Sequence, residues 1–196
     1  MTDIVDQAVE ISRPLIDSRK HELVLSVSGD QLWVNGDSTR LAQVIANLLN
    51  NAAKYTEPGG RIELVVAGEQ DEIVFRVRDS GIGIARDMLP KIFELFTQID
   101  RSLDRAQGGL GVGLSLVKSV AELHHGTVQA FSEGLGKGSE FVVRLPRLDP
   151  NTVDERSQEG SPLRAGRSFS SSTKSNGMTK ESGALRGEKT GMTNES

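Results

Sequence analysis

Four short motifs in a fixed order constrain this chain more than any other feature of its sequence. They are Asn-Leu-Leu-Asn-Asn-Ala-Ala-Lys-Tyr-Thr at 47–56, Asp-Ser-Gly-Ile-Gly-Ile at 79–84, Gly-Gly-Leu-Gly-Val-Gly-Leu at 108–114 and Gly-Leu-Gly-Lys-Gly-Ser-Glu-Phe at 134–141. A single Gly-x-Gly pair indicates little, because glycine serves any tight turn. An Asn/Lys segment followed by three glycine-rich segments is far more specific, and any fold of this chain has to accommodate all four.

The hydrophobic pattern predicts helices alternating with strands over residues 1–148. Apolar residues at helical spacing predict helices over 3–19, 89–96 and 112–124, and a further helix that Asp37 or Ser38 caps and that runs to about Lys54. Strands are predicted over 23–27, 31–34, 61–66, 72–78, 127–132 and 140–145, with the first two joined as a hairpin at Gly29-Asp30. This order predicts an α/β two-layer sandwich, in which a mixed, largely antiparallel sheet is covered on one face by about three helices.

Composition disfavours several classes of protein. A formal net charge of −4 and a pI near 5.5 argue against a nucleic-acid surface, which needs a basic patch. The absence of cysteine excludes disulfides and thiolate metal sites. No apolar run approaches the ~20 residues of a membrane span, and the first residues carry acids where a signal peptide carries lysines. These features predict a cytoplasmic protein without a membrane segment or a nucleic-acid partner.

The composition changes close to residue 148. Beyond it come serine, glycine, threonine, asparagine and charged residues, with Phe169 as the one aromatic side chain. Such a segment cannot bury enough apolar surface to offset the entropy lost on ordering. The sequence therefore predicts a folded domain over 1–148 and a disordered tail or linker over 149–196.

The predicted second helix carries a polar face beside its apolar stripe. At about 100° per residue, Asn47, Asn51 and Lys54 fall together on that face. The amide oxygen of Asn51 is the kind of ligand that Mg²⁺ accepts, and Lys54 can meet phosphate as a point charge. A solvated polar face is the alternative for this helix taken alone, and the other motifs favour a nucleotide site.

Asp79 ends a predicted buried strand and enters a glycine-bearing turn. A carboxylate there accepts a hydrogen bond from the exocyclic amine of adenine, whereas guanine presents a carbonyl oxygen that repels it. Gly81 and Gly83 are expected to let the main chain approach the base without an intervening Cβ. An ordinary β-turn aspartate with turn glycines is the alternative.

The third motif opens directly into the predicted 112–124 helix. Free N–H groups of its glycines and the positive end of the helix form an anion site. No Gly-Lys-Ser/Thr ends the motif as in a Walker loop, and no strand leads into it as in a dinucleotide fold.

Together the four motifs resemble the N, G1, G2 and G3 boxes of the ATP-binding catalytic domain of sensor histidine kinases. That domain has a Bergerat-type fold and belongs to a wider family with DNA gyrase, Hsp90 and MutL. The resemblance covers about residues 1–147 and implies ATP and Mg²⁺ as ligands. It also implies a parent kinase, of hybrid type, with a histidine phosphoacceptor and dimerisation domain and a response regulator receiver downstream.

The same resemblance implies a role for each matching residue. Asn51 is the implied Mg²⁺ ligand, Asn47 and Lys54 are the implied catalytic contacts to phosphate, and Tyr55 packs beside the adenine. The remaining implied nucleotide contacts are Asp79, Gly81, Gly83, Arg101, Arg105, Gly109, Leu110, Gly111, Val112, Gly113 and Leu114. The fourth motif resembles the G3 box and is interpreted as structural support.

Residues 97–107 resemble the ATP lid of the family, and Phe-Glu-Leu-Phe at 93–96 resembles the F box before it, although core packing is the alternative for its phenylalanines. Leu110 stands where many members have threonine, and Gln98 stands where many have arginine. Both departures could remove a phosphate contact, so a nucleotide-binding regulatory module or pseudokinase remains an alternative. An ATPase is disfavoured, because those relatives carry glutamate where this chain has Asn47, and an amide cannot take a proton from water.

The histidines are predicted to be structural. His21-Glu-Leu resembles the start of a phosphoacceptor box, but the strand-like Val-Leu-Ser-Val follows it. His124 and His125 end a predicted helix, where histidine is favourable. The sequence therefore predicts that the phosphoacceptor histidine belongs to a separate domain.

Overall fold

The structure is a computed structural model and describes residues 1–29, 32–97 and 111–148. Three helices and five strands lie in these ranges. In chain order they are α1 (Thr2–Ser18), β1 (Glu22–Ser28), α2 (Ser38–Tyr55), β2 (Arg61–Glu69), β3 (Glu72–Asp79), α3 (Gly113–Leu123), β4 (Thr127–Phe131) and β5 (Ser139–Pro146). No helix in this part of the chain is long and apolar enough to cross a membrane.

The five strands form one mixed sheet in the order β1-β2-β3-β5-β4. β1 pairs with β2 in parallel, and the other three pairs of neighbours are antiparallel. The predicted α/β two-layer sandwich with a mixed, largely antiparallel sheet and three helices is confirmed.

The core lies between the helices and one face of the sheet. Alternate residues of the central strands are fully buried there, as the two-residue period of a strand requires. They are Ile62, Leu64 and Val66 of β2, Ile73, Phe75 and Val77 of β3, and Phe141, Val143 and Leu145 of β5. Helix α2 packs against both α1 and α3 and buries its predicted apolar stripe between them and the sheet. Burying each such side chain stabilises the fold by about 1.5–3 kcal/mol.

The predicted limits of α2 are confirmed. The Asp37 carboxylate caps the helix by accepting hydrogen bonds from the N–H groups of Thr39 at 2.9 Å and Arg40 at 3.1 Å. Such a cap contributes about 1 kcal/mol. Because the cap fixes where the helix starts, it also fixes which turns of α2 reach the end of the sheet where the motifs meet.

The predicted hairpin at Gly29-Asp30 is wrong. β1 pairs in parallel with β2, and Trp33 forms an antiparallel bridge with Leu148 instead of pairing with β1. Parallel neighbours need a long crossover connection, and here α2 provides it. The apolar residues of 31–34 mimicked a strand because Leu32 is buried, but against Gly29 and Gly68 rather than in a ladder.

The predicted helix over 89–96 is also wrong, since this segment forms successive turns. Main-chain bonds run from Met88 N–H to Ala85 O at 2.9 Å, and from Lys91 N–H to Met88 O at 2.8 Å. These bonds span three residues, and they are mixed with four-residue bonds such as Ile92 N–H to Met88 O at 3.1 Å, so no regular α-helix forms. Pro90 lacks an N–H group and disfavours a regular helix.

Candidate functional site

A pocket of about 370 Å³, a volume that includes its open mouth, lies where the four motifs meet. One wall is the last two turns of α2, and the opposite side is formed by the end of β3 and the turn that follows it. The first turn of α3 and the start of β5 complete it. Its lining residues are Asn51, Tyr55, Asp79, Ile82, Gly83, Ile84, Leu114, Ser139 and Phe141.

Asp79 is the one carboxylate of this lining, and it is 7% exposed. Its Oδ1 accepts a hydrogen bond from the Gly81 N–H at 2.8 Å. Its Oδ2 accepts one from the Ser139 hydroxyl at 2.5 Å. Both oxygens are thereby held in place, and each keeps a second lone pair. The side chain is a fixed acceptor on an otherwise largely apolar pocket wall.

The glycines of the second motif serve the packing of the chain against itself. A Cβ on Gly81 would lie 2.3 Å from the carbonyl oxygen of Tyr55, and a Cβ on Gly83 would lie 2.1 Å from that of Gly134. Gly83 also has a φ of +71°, which favours glycine. These contacts give both glycines a packing role within the chain, and Gly83 also lines the pocket.

The polar face of α2 points toward the same end of the molecule. Asn51 and Tyr55 line the pocket, whereas Asn47 and Lys54 lie outside the lining. Lys54 places its Nζ 4.8 Å from the centre of the Tyr55 ring, a cation–π contact at the pocket edge. The Nδ2 group of Asn47 is buried, and no partner for it exists among the residues that the structure describes. An unpartnered buried donor is costly, and Asn47 lies one turn before Asn51 on the same face of α2.

The first turn of α3 faces Asn51. A Cβ on Gly113 would lie 4.0 Å from Asn51 Nδ2, and Leu114 lines the pocket. The N-cap residue is Val112, which makes no side-chain capping bond. The first N–H groups of a helix have no partner within the helix. An uncapped helix start of this kind is suited to binding an anion.

Gly111 lies two residues before the start of α3. It has a φ of +70°, and its carbonyl oxygen accepts a hydrogen bond from the Phe96 N–H at 3.1 Å. Phe93 packs edge-on against Phe141 at 6.4 Å between ring centres, while Phe96 is 73% exposed. The two phenylalanines of the 93–96 segment thus have different places, one against the core and one at the surface.

The structure brings together Asn51, Tyr55, Asp79, Gly83 and Leu114 in one pocket, with Gly113 close to Asn51. The predicted contacts Arg101, Arg105, Gly109 and Leu110, together with Gln98, lie outside the described residues.

Sequence reasoning missed four residues of the lining. They are Ile82, Ile84, Ser139 and Phe141. Ser139 could have been found, because it directly follows the last glycine of the fourth motif, which places it beside the end of β3 in the sheet register.

Comparison with known proteins agrees with this geometry. Residues 36–149 match the family of histidine kinase-, DNA gyrase B-, and HSP90-like ATPases. The chain belongs to this family. The resemblance carried by the four motifs is therefore confirmed. Within this ATPase family, the chain is similar to the circadian input-output histidine kinase CikA of Thermosynechococcus vestitus, with 41% identity over 132 residues, 67% of this chain and 18% of the relative.

Solved structures of family members have the same fold. The mycobacterial sensor histidine kinase MprB matches with a TM-score of 0.66 and 28% identity, covering 75% of this chain and 95% of that one. Full-length ShkA, in complex with AMPPNP, matches with a TM-score of 0.64 and 30% identity, covering 74% of this chain and 29% of that one. The chain spans only 14% to 32% of the length of four curated histidine kinase relatives.

Proposed function

We propose that this chain is the ATP-binding catalytic part of a sensor histidine kinase. It binds MgATP and donates the γ-phosphate to a histidine on a separate phosphoacceptor and dimerisation domain, from which a response regulator receiver takes it. The observation that carries the proposal is the fixed carboxylate of Asp79 in an apolar pocket beside the uncapped start of α3. A solved neighbour, ShkA, is in complex with AMPPNP, which supports nucleotide binding by this chain.

The pocket suits adenine for a chemical reason. Asp79 accepts two internal hydrogen bonds and has lone pairs left for a donor. The exocyclic amine of adenine is such a donor, whereas the carbonyl oxygen of guanine would face the carboxylate unfavourably. Ile84 and Phe141 supply an apolar lining on which a planar base can rest.

The residues beyond the base suit a triphosphate with its metal. Asn51 offers an amide oxygen, and the unpartnered Nδ2 of Asn47 offers a donor one turn away. Among the described residues, no group of three or more His, Cys, Asp and Glu side chains could hold a metal, and Mg²⁺ in nucleotide sites takes few protein ligands beside phosphate oxygens and water. Asn51 is the proposed Mg²⁺ ligand. When bound, the ion would neutralise charge on the phosphates.

The remaining contacts follow from position. The free N–H groups at the start of α3, from Gly113 onward, and the ammonium group of Lys54 are proposed to face the phosphates. We propose the same for Arg101 and Arg105, and for Gly109, Leu110, Gly111 and Val112. Phosphoryl transfer depends mainly on positioning and charge neutralisation, so such contacts suffice without a nucleophile in this chain. We also propose that residues 1–148 form the domain and that 149–196 form a linker.

Titration calorimetry tests the site. Asp79→Asn should lower ATP affinity about tenfold or more, because a charge-assisted hydrogen bond worth about 1.5–3 kcal/mol is lost. Asp87→Asn makes the same chemical change on an exposed side chain and should leave affinity unchanged. Asn51→Ala should weaken Mg²⁺-dependent ATP binding more than Mg²⁺-free ADP binding, with Asn50→Ala as its control on the same helix. Unchanged affinity in Asp79→Asn and Asn51→Ala would refute the site.

Labelled ATP tests the transfer. The chain alone should take no label, because His21 is 8% exposed and its Nε2 donates to Ala53 O at 2.9 Å. An added phosphoacceptor domain from a relative such as CikA should become labelled with acid-labile phosphate. ATP binding without any such labelling would favour the regulatory-module alternative. Release of inorganic phosphate at the same rate with and without the added domain would favour an ATPase.

A further inference from the structure

The hydroxyl group of Ser132 joins two loops that meet behind the pocket. One is the base turn, residues 80–84, which follows β3. The other is the glycine loop, residues 133–138, which links β4 to β5. Ser132 Oγ lies 3.0 Å from the Ile84 N, 2.7 Å from the Gly138 O and 3.3 Å from the Gly134 N. Ser132 itself is not part of the pocket lining.

We infer that Ser132 is a positioning residue that holds the base turn in the shape that selects adenine. The inference rests on the proposed function, because it assigns a role in the recognition of the base at that same site. Ser132 acts through the main chain of Ile84 rather than by touching the nucleotide.

The hydrogen-bonding capacity of the hydroxyl is fully used. A serine hydroxyl has one proton to donate and two lone pairs. The short 2.7 Å contact to the Gly138 carbonyl takes the proton, and the N–H groups of Ile84 and Gly134 donate to the lone pairs. Alanine at 132 would leave the main-chain groups of Ile84, Gly134 and Gly138 without this partner. Two of them belong to the glycine loop and one belongs to the base turn.

The two loops also bond to each other directly. Gly136 N–H donates to Ile82 O at 2.7 Å, and Gly138 N–H donates to Gly81 O at 3.1 Å. These bonds fasten the first part of the base turn, around Gly81 and Ile82. Ser132 fastens its last residue, Ile84, whose side chain is 3% exposed and lines the pocket.

The direct loop contacts and the sheet stabilise the fold, whereas Ser132 serves the selectivity for adenine. With Ser132 removed, the direct loop contacts and the sheet remain, so the domain stays folded. The end of the base turn becomes free to shift, and the apolar side of the pocket then loses its fixed distance from the carboxylate of Asp79. Recognition of adenine depends on both the apolar side of the pocket and the carboxylate of Asp79. Binding of the phosphates depends on neither. Discrimination between adenine and guanine should therefore fall more than binding of the triphosphate as such.

Calorimetric titration of Ser132→Ala with MgATP and MgGTP tests the inference on the full chain. ATP affinity should fall by about tenfold, because binding of adenine would then have to order the base turn at a cost comparable to one hydrogen bond, while GTP affinity should change much less. The ATP-to-GTP affinity ratio should drop accordingly. Ser132→Thr keeps the hydroxyl and should restore most of the ratio. Should Ser132→Ala fail to fold, Ser132→Cys offers the same comparison, because a thiol is a weak hydrogen-bonding group.

Ser12→Ala is the matched control. Its hydroxyl is buried between α1 and α2 and donates to Ala8 O at 2.9 Å, and it is not part of the pocket lining. It should lower the unfolding midpoint and leave the affinity ratio unchanged. If Ser132→Ala leaves the ratio at the wild-type value, whether or not both affinities fall, the positioning role is wrong although the proposed function stands. A wild-type chain that binds neither nucleotide would overturn the proposed function, and this role with it.

Discussion

The main-chain N–H of Asp37 donates a hydrogen bond to Nε2 of His124 at 3.1 Å. The other ring nitrogen, Nδ1, donates to the Val120 carbonyl oxygen at 2.8 Å, so both ring nitrogens of His124 have main-chain partners. This bond ties the start of α2 to the end of α3. Their opposite ends meet at the pocket, where Gly113 approaches Asn51. The two helices that carry the proposed phosphate contacts thus run antiparallel and are joined at the end remote from the ligand.

His124→Ala should lower the free energy of unfolding by about 1–2 kcal/mol, since it leaves the Asp37 N–H without its partner and removes a ring that packs closely on Gly36. Denaturant unfolding measures the change. Ser119→Ala is the control, because Ser119 is exposed in the same helix and alanine favours a helix. Equal losses in the two variants would contradict the role of the interhelix bond.

Glu69→Gln should change how stability depends on pH. A hydrogen bond from Arg76, and to a smaller extent one from Arg144, hold the pKa of the Glu69 carboxyl below its usual value of 4.5. A carboxylate with a lowered pKa in the folded state stabilises the fold above its unfolded-state pKa and loses that contribution as the pH falls through the folded-state value. Wild type should therefore be more stable than Glu69→Gln at neutral pH, and the difference should shrink below pH 4.5.

Denaturant unfolding at a series of pH values from neutral to strongly acidic checks this. Glu133→Gln changes an exposed side chain of the glycine loop. The free energy of unfolding of this variant should depend on pH in the same way as that of wild type. A Glu69→Gln difference that stays constant throughout the acid range would show that the two arginines do not stabilise the charged carboxylate.

Gly81→Ala should destabilise the fold by about 1–3 kcal/mol, the usual cost of forcing extra atoms into a packed interior. Its Cβ would lie 2.3 Å from the Tyr55 carbonyl oxygen and 2.8 Å from Asp79 Oδ1. Gly113→Ala is the matched change, because its nearest neighbour would be 4.0 Å away and alanine favours a helix. That variant should be as stable as wild type or more so. Thermal unfolding distinguishes them, and a stable Gly81→Ala protein would contradict the assigned packing.

A chain ending at Leu148 should keep its stability and its ATP affinity, because the sequence of 149–196 offers no apolar face to dock. Leu148 N–H donates to Trp33 O at 2.8 Å, and Arg147 N–H donates to Asp71 O at 2.7 Å. A chain ending at Pro146 should lose both bonds and stability. Trp33 is the sole tryptophan of the sequence, so its fluorescence reports the difference. Reduced stability of the longer of the two chains would show that the tail contributes to the fold.

Sequence reasoning succeeded where the determinants are local. The limits of α2 follow from the Asp37 cap and from a regular apolar stripe, and Asp79 and Asn51 were found by motif. It failed where the determinants are distant along the chain. The partner of β1 is chosen by a crossover through α2, which no pattern in 22–34 encodes. The role of Ser139 arises because β5 enters the sheet beside β3, and that pairing also lies far apart in sequence.

The bond between Phe96 N–H and Gly111 O has a consequence for engineering. This bond holds Phe96 and Gly111 together, so the two ends of the intervening segment are fixed close to each other. The entropy of closing such a segment grows only with the logarithm of its length. A foreign ligand-binding peptide can therefore be inserted after Gln98, which leaves the proposed phosphate contacts Arg101, Arg105, Gly109 and Leu110 in the chain. Coupling the occupancy of that graft to the adjacent start of α3 would turn the domain into a sensor for the grafted ligand.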